Sequence, residues 1–237
     1  SWTDAMCGFN VAGPLSRALL QRLTNASLDT ADFPFMRSKR IELAGVDVLA
    51  LRVSFTGDLG WELHCAAEDQ LRLYHALLDA GREIGVGPVG SRALMSLRLE
   101  KGYGSWGREY SPEYWPQEVG LDRLVKLDKD FLNKAAATDV LTQPARESLV
   151  LLRLDTAETE ASGADATGGE PIFRDDAGIG RVTSGAYGFG VGMSLALGFV
   201  QGASAGDRVD VMVLGQPHSA TILEHPPFDP TGERLRQ

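Results

Sequence analysis

The chain is 237 residues long, enough for one large domain or two modest ones around a substantial core. Its composition, 43% hydrophobic, 23% charged and 8% aromatic, is that of an ordinary globular protein. A formal net charge of −9 excludes a general nucleic-acid binder and disfavours docking on anionic membranes, because both need clustered Lys and Arg.

No apolar run approaches the length of a membrane span. The start Ser-Trp-Thr-Asp, without initiator Met, signal or transit segment, is expected of a domain cut from a longer protein or of a processed product. Cys7 and Cys65 lie in apolar-flanked, strand-like segments and are expected to be reduced core thiols, since a disulfide framework needs more cysteines.

In chain order, residues 4–11 read as a short strand. Gly13-Pro14 turns the chain into an amphipathic helix carrying Leu15, Leu19, Leu20 and Leu23. Phe33-Pro34-Phe35-Met36 is no central strand, because its proline lacks an N–H. Strands are predicted at 38–44 and 47–55 around a turn at Ala44-Gly45. In the second, Val48, Leu49, Leu51 and Val53 scarcely alternate, as in a strand covered on both faces. Trp61 to Cys65 is a further strand, and Asp69 to Ile84 a helix with Leu71, Tyr74, Leu77 and Leu78 on one face. After Gly87-Pro88-Val89-Gly90, Ser91 can cap a third helix that runs to about Lys101 and stops at Gly102.

From about 155 to 169 the composition predicts a solvated loop. The remaining sequence after about 147 predicts short strands at 147–154, 171–174, 179–184, 193–200, 208–214 and 218–223, a compact β barrel or sandwich. The expected class is therefore α+β: a ferredoxin-like or mixed α/β region over residues 1–140, then a small β barrel over 141–237.

Gly57 and Gly60 bracket a tight turn that leaves room for a planar ligand. Glu62 follows in a strand between apolar Trp61 and Leu63, where a carboxylate is costly unless it is paired or faces a cavity. Such a carboxylate can accept two N–H donors from a pterin-like edge, or it can be a strand-edge Glu paired to an Arg or left in water. Arg98 and Glu100, two apart on one helix, do not face each other, so one is expected to contact a neighbouring strand end and the other to be solvated. Trp106, Tyr110, Tyr114 and Trp115 crowd a segment rich in Gly and Pro, either a lid over a ligand or an interdomain plug.

The string Gly185 to Gly192 precedes a strand rather than opening a helix, so it reads as a strand-to-strand corner and not a dinucleotide fingerprint. No metal site is predicted: His64, His75, His218 and His225 lack partners at ligand spacing, and Asp128-Lys-Asp130 is too small and too basic for a calcium loop. There is no G-x-S-x-G elbow. Chemistry is therefore expected to come from a bound cofactor that the protein orients.

Several ordered motifs resemble one family. They are Gly13-Pro14 with its helix, Ser54 to Leu63, Ser96 to Trp106, Pro116-Gln-Glu-Val-Gly-Leu-Asp122, Val125 to Lys129, Val182-Thr-Ser-Gly185, Ser194 to Gly198 and Pro227-Phe-Asp-Pro230. Together they resemble the glycine-cleavage aminomethyltransferases (T-proteins) and the folate-binding C-terminal parts of dimethylglycine and sarcosine dehydrogenases. The tryptophan after Gly60 and the lysine after Glu100 point to the dehydrogenase branch. The resemblance implies a three-part molecule that binds tetrahydrofolate in a central channel and passes one carbon from a small-molecule amine donor to folate.

By the same resemblance Glu62 is the carboxylate that holds the pterin, Phe55 sits where a tyrosine commonly lines the site, and Trp106 and Glu118 belong to the channel wall. FAD is implied only if an upstream oxidoreductase domain exists, and the partners implied are the missing N-terminal or flavin domain, with no nucleic acid or membrane. The implied location is cytoplasmic, or the mitochondrial matrix in a eukaryote. Three departures stand out. Ala93-Leu94-Met95 replaces an alanine-arginine-aspartate, Arg123 replaces an aromatic, and the family's catalytic aspartate is expected to lie in an N-terminal portion absent from this chain. Residues for catalysis are thus not assigned, and this portion alone is expected to be inactive. The alternatives are a non-catalytic folate-binding or regulatory module and a folate-dependent demethylase.

Overall fold

The computed structural model describes residues 1–155 and 165–237. Residues 156–164, the centre of the expected loop, lie outside the described residues. The chain divides into two compact units, Ser1–Leu94 with Asp229–Gln237, and Met95–Phe228.

The first unit is a four-stranded antiparallel sheet. Its strands are β1 (Met6–Ala12), β2 (Ser38–Leu43), β3 (Val46–Leu51) and β4 (Gly60–Ala66), in the order β1-β4-β3-β2. The β2–β3 hairpin turns at Ala44-Gly45, where both residues have positive φ (51° and 77°), the backbone that a two-residue hairpin with the native strand twist requires. Helices α1 (Ser16–Gln21) and α2 (Gln70–Gly81) supply Leu19, Leu20, Leu73 and Leu77 to the core. From the strands come Ile41, Val46, Val48, Ala50, Trp61, Leu63 and Cys65.

Two expectations are corrected here. The buried stripe of α2 runs through Leu73 and Leu77, while Leu71 is exposed, because the pattern admits two phases and the sheet selects the one that also places Gly81 inward. β3 does alternate: Val46, Val48 and Ala50 are buried, Asp47 is exposed, and Leu49 and Leu51 are only half-buried. The opposite face of the first sheet is thus partly open, and it carries Glu62 and His64.

The second unit is built on a closed six-stranded antiparallel barrel. Its strands are β5 (Ser148–Leu154), β6 (Pro171–Arg174), β7 (Ala177–Gly188), β8 (Met193–Val200), β9 (Arg208–Val213) and β10 (Gln216–Leu223), closing in the order β10-β5-β8-β7-β6-β9. Closure removes the unpaired edges that a small antiparallel sheet would otherwise expose. Leu152, Ile172, Val182, Ala196, Val211 and Ile222, one or more from each strand, fill the interior. A second cluster on the outside joins Leu151, Leu195 and Leu197 to Leu99 of helix α3 (Ser91–Glu100). β8 is the strand covered on both faces, with small residues (Ser194, Ala196, Gly198) alternating with large ones (Leu195, Leu197, Phe199). Helix α4 (Lys134–Thr142) precedes the barrel. Among the described residues no helix is long and apolar enough to cross a membrane.

Gly198 is required by the close approach of β7 to β8, since a Cβ there would sit 2.6 Å from the Arg181 carbonyl oxygen. Gly198→Ala is therefore expected to lower stability by ~1–3 kcal/mol through overpacking, measured by urea unfolding. A change within ~0.5 kcal/mol, the range of an ordinary surface substitution, would show that the strands can separate without cost.

Candidate functional site

The turn that precedes β4 is fixed from several sides. Gly57 has φ 87°, and its N–H donates to Ser54 Oγ at 2.9 Å. Gly13 N–H donates to the Leu59 carbonyl at 2.9 Å, and Ser16 Oγ donates to the same carbonyl at 3.0 Å. Gly60 lies where three backbones converge: a Cβ there would be 3.2 Å from the carbonyl oxygens of both Val11 and Val53. Two of the motifs singled out in the sequence, Gly13-Pro14 and the Gly57–Gly60 turn, thus meet in one unit.

Beneath them lies Arg52, which has no exposed surface. It donates to the Phe33 carbonyl at 2.6 Å, and its guanidinium stands 5.8 Å from the centre of the Trp61 ring. Burial, and next the neighbouring charge of Arg17, lower the Arg52 pKa from its usual value. Sequence reasoning passed over Arg52, whose only local signal is a basic residue at the end of an apolar strand.

Glu62 emerges from this frame on the half-open face of β4, directly opposite Asn10 of β1 and Leu51 of β3. Its side chain is 40% exposed, and His64 Nε2 stands 3.6 Å from Oε2. The carboxylate is therefore neither buried nor consumed by an arginine. Phe55, in the turn itself, is half-buried.

Trp106 and Glu118 belong to the second unit. Trp106 is 81% exposed. Glu118 is buried and saturated: it accepts from Trp115 N at 2.7 Å, Arg146 N at 3.1 Å, Arg146 Nε at 2.6 Å and Arg146 Nη2 at 2.7 Å. These four donors occupy the carboxylate's acceptor capacity. The hydrogen bonds from Arg146 hold its pKa down at about 2. In the same segment Tyr114 stacks on Phe199 with ring centres 4.0 Å apart, and Arg146 stands 4.5 Å from the Trp115 ring centre. Tyr114 and Trp115 are thus anchored within this unit.

Both α3 residues expected to divide between contact and solvent are buried. Glu100 accepts from Gly190 N at 2.8 Å, which assigns a packing role to the glycine string: a Cβ at position 190 would lie 2.5 Å from the Glu100 carboxylate. Arg98 pairs with Glu109 at 3.2 Å, both without exposed side-chain surface. Glu109, which sequence reasoning missed, also accepts from Ser105 N at 2.8 Å, Thr183 Oγ1 at 2.7 Å and Ser184 Oγ at 2.5 Å. A bulge in β7 between Val182 and Ser184 lets successive hydroxyls reach one carboxylate. Burial pushes the Glu109 pKa up, but the bonds from Ser184, Ser105 and Thr183 and the Arg98 charge outweigh it, and the group is held below the usual carboxylate range. No cluster of His, Cys, Asp or Glu suited to a metal ion occurs among the described residues.

The comparisons with known proteins find the same two parts, a sheet-bearing unit and a closed barrel. The family profiles "GCVT N-terminal domain" and "Glycine cleavage T-protein C-terminal barrel domain" match residues 1–129 and 148–229. The chain belongs to the glycine cleavage T-protein family. It is 38% identical to mouse mitochondrial dimethylglycine dehydrogenase over 94% of this chain and 26% of that protein. It is 33% identical to mouse mitochondrial sarcosine dehydrogenase over 96% of this chain and 25% of that protein. The chain thus spans about a quarter of the length of these dehydrogenases. The aminomethyltransferase of Caldanaerobacter subterraneus is 29% identical over 94% of this chain and 58% of its own length. The aminomethyltransferase T of Bartonella henselae shares the fold at a TM-score of 0.81, covering 95% of this chain and 60% of that one at 24% identity.

Two outcomes follow from the buried carboxylates. Glu109→Gln should destabilise the chain by ~3–5 kcal/mol, because it leaves the buried Arg98 charge uncompensated; a loss below ~1 kcal/mol by denaturant titration would contradict that pairing. Glu118 has a folded pKa depressed to about 2 from 4.5, so its stabilisation is full above the unfolded value and fades as pH falls through the folded one. Glu118→Gln should therefore be less stable than the parent chain near neutral pH by ~1–3 kcal/mol, with the gap closing between pH 4.5 and about 2. A gap independent of pH over that window would refute the assignment.

Proposed function

We propose that this chain is the folate-binding part of a tetrahydrofolate-dependent one-carbon transferase, the folate half of a flavin-linked amine dehydrogenase or a stand-alone aminomethyltransferase. The observation that carries the reading is Glu62, a half-exposed carboxylate on a rigidly held strand, with its acceptor capacity unspent. The two neighbouring N–H groups of an aminopyrimidine edge suit it: a carboxylate takes such a pair through both oxygens, and charge-assisted bonds of this kind are the strong ones. Asn10 opposite adds a second polar group at the same register position, and Leu49 and Leu51 on β3 offer apolar surface along the same face of the sheet. Phe55 would contribute ring contact from the turn. Glu118 is assigned a wall-building role through Arg146.

The substrates of this reading are a reduced folate and a small-molecule amine donor. The one carbon leaves the donor nitrogen for a folate nitrogen, N5 or N10. Within this chain the contribution is placement, because holding the folate nitrogen at reacting distance removes much of the entropic barrier, a term worth ~7–11 kcal/mol at its largest. The proton-transfer group belongs to a separate portion of the complete protein, as does any flavin. The location proposed is the mitochondrial matrix in a eukaryote or the cytoplasm otherwise; the two dehydrogenase relatives carry "mitochondrial" in their names. A second reading, a folate-binding module without transfer chemistry, draws on Ala93-Leu94-Met95, where glycine-cleavage enzymes carry alanine-arginine-aspartate.

The test is anaerobic calorimetric titration of tetrahydrofolate into this chain and into Glu62→Gln. The parent chain should bind, and the variant should lose ~1.5–3 kcal/mol of affinity, the worth of a hydrogen bond to a charged group. Equal affinities would remove Glu62 from the site, and no binding by the parent chain would sink the reading for this portion of the protein.

A further inference from the structure

On the covered face of the first sheet, Cys7 of β1 stands directly opposite Cys65 of β4. The two Sγ atoms are 3.3 Å apart, and both thiols are free. This register is set from both ends and does not depend on the cysteines. Gly13 N–H donates to the Leu59 carbonyl at one end of the ladder, and Ala67 N–H donates to the Ala5 carbonyl at the other. A disulfide needs its sulfurs about 2.05 Å apart, so a closure of about 1.3 Å, within reach of χ1 adjustment, separates the thiol pair from a bond. Access is unequal: Cys65 is buried, whereas Cys7 is half-buried at the margin of the core. Burial pushes the Cys65 thiol up to about 12, with its contact to Cys7 adding to the effect. Cys7 is therefore the sulfur that an incoming reagent meets, and Cys65 the one held in place to resolve it.

We propose that Cys7 and Cys65 form an oxidative modification site, at which a peroxide converts the two thiols into an intramolecular disulfide that joins β1 to β4 behind Glu62. The Cys7 thiolate attacks one peroxide oxygen, the O–O bond breaks and hydroxide leaves, giving a sulfenic acid. Cys65 sulfur then attacks the Cys7 sulfur, the S–S bond forms, the S–O bond breaks and a second hydroxide leaves. The two thiol protons convert the hydroxides to water, so two electrons pass from the sulfurs to one peroxide. The low thiolate fraction of Cys65 makes the second step slow at neutral pH and faster as pH rises. Glu62 and Asn10 oppose one another on the other side of the same strand pair, three residues along each strand from the cysteines. The bond therefore fixes the register of the strands that present the open face. It rests on the β1–β4 pairing alone and stands whether or not that face takes folate.

The experiment treats the reduced chain with hydrogen peroxide, blocks remaining thiols with an alkylating reagent in denaturant, and reads intact mass and a non-reducing peptide map. The expected result is loss of both alkylation sites, a mass lower by two hydrogens, and a peptide linking Cys7 to Cys65. The oxidised chain should also unfold at a higher denaturant concentration than the reduced one, because the bond closes a long loop of the unfolded chain. Recovery of both free thiols, oxygen retained on Cys7 with Cys65 free, a bond between two chains, or a lower unfolding midpoint after oxidation would each overturn the proposal. In Cys65→Ala, Cys7 should instead keep the added oxygen or go on to higher acids; a Cys7 that stays unoxidised in the variant would show that it is not the entry sulfur. The parent chain's peptide map decides the pairing even if that variant folds poorly.

Discussion

The second unit is organised by the need to satisfy a charge that has no water. Arg98 and Glu109 have no exposed side-chain surface, so the remaining lone pairs of the carboxylate must be met within the fold. On the cation side Arg98 Nη1 also donates to the Tyr103 carbonyl at 2.8 Å, while Nε and Nη2 have no partner among the described residues. Much of the local chain follows from this. The loop after Gly102 folds back so that Ser105 donates its N–H, and β7 bulges so that Thr183 and Ser184 donate their hydroxyls together. A regular β7 would point those two side chains to opposite faces. Gly104 belongs to the same solution, since a Cβ there would come within 2.8 Å of Glu109 Cβ. The irregular, glycine-rich stretch is thus the shape the backbone takes around one carboxylate.

The first unit meets a related constraint at Arg52, beside Arg17. Arg52 is buried; its guanidinium donates to the Phe33 carbonyl, Thr30 Oγ1 and the Gln237 backbone oxygen and lies beside the face of Trp61, the kind of surface a weakly hydrated guanidinium accepts. The consequence is positional. β3 ends at Leu51, Arg52 anchors the departing chain, and the turn to Gly60 has little freedom before β4 begins. Glu62 therefore issues from a stiff frame, although the carboxylate itself is open.

How much of this could be read from sequence depended on whether the signal was local. The β8 boundaries at Met193–Val200 and the β6 boundaries at Pro171–Arg174 match the predicted strands residue for residue, because turn residues and apolar composition lie within a few positions of each end. The hairpin at Ala44-Gly45 and the helix stop at Gly102 were legible for the same reason. The phase of α2 was not, since Leu71, Leu73, Leu77 and Leu78 support two stripes and only the sheet beneath can choose. The coverage of β3 was misjudged because leucine at half-buried positions looks like leucine in a core. Glu109 was invisible: its partners lie at 98, 105, 183 and 184, and no spacing rule links them. The buried state of Glu100 depended on a backbone amide ninety positions away.

The glutamates show what separates a structural carboxylate from one available for a ligand. Glu118 and Glu62 both fall within motifs that mark the family, and the resemblance assigns Glu62 to the pterin and Glu118 to the channel wall. Their surroundings separate them further. Glu118 receives four donors from Arg146 and Trp115, and a ligand would have to displace a bidentate guanidinium to reach it. Glu109 likewise has both oxygens engaged. Glu62 has an imidazole at 3.6 Å, beyond ordinary hydrogen-bond distance, and two-fifths of its side-chain surface is open. A carboxylate that is rigidly delivered but left unsatisfied gains most from an incoming pair of N–H groups, because little must be broken to admit them. That difference in residual acceptor capacity, more than membership of a motif, is what centres the proposed folate site on Glu62 of β4.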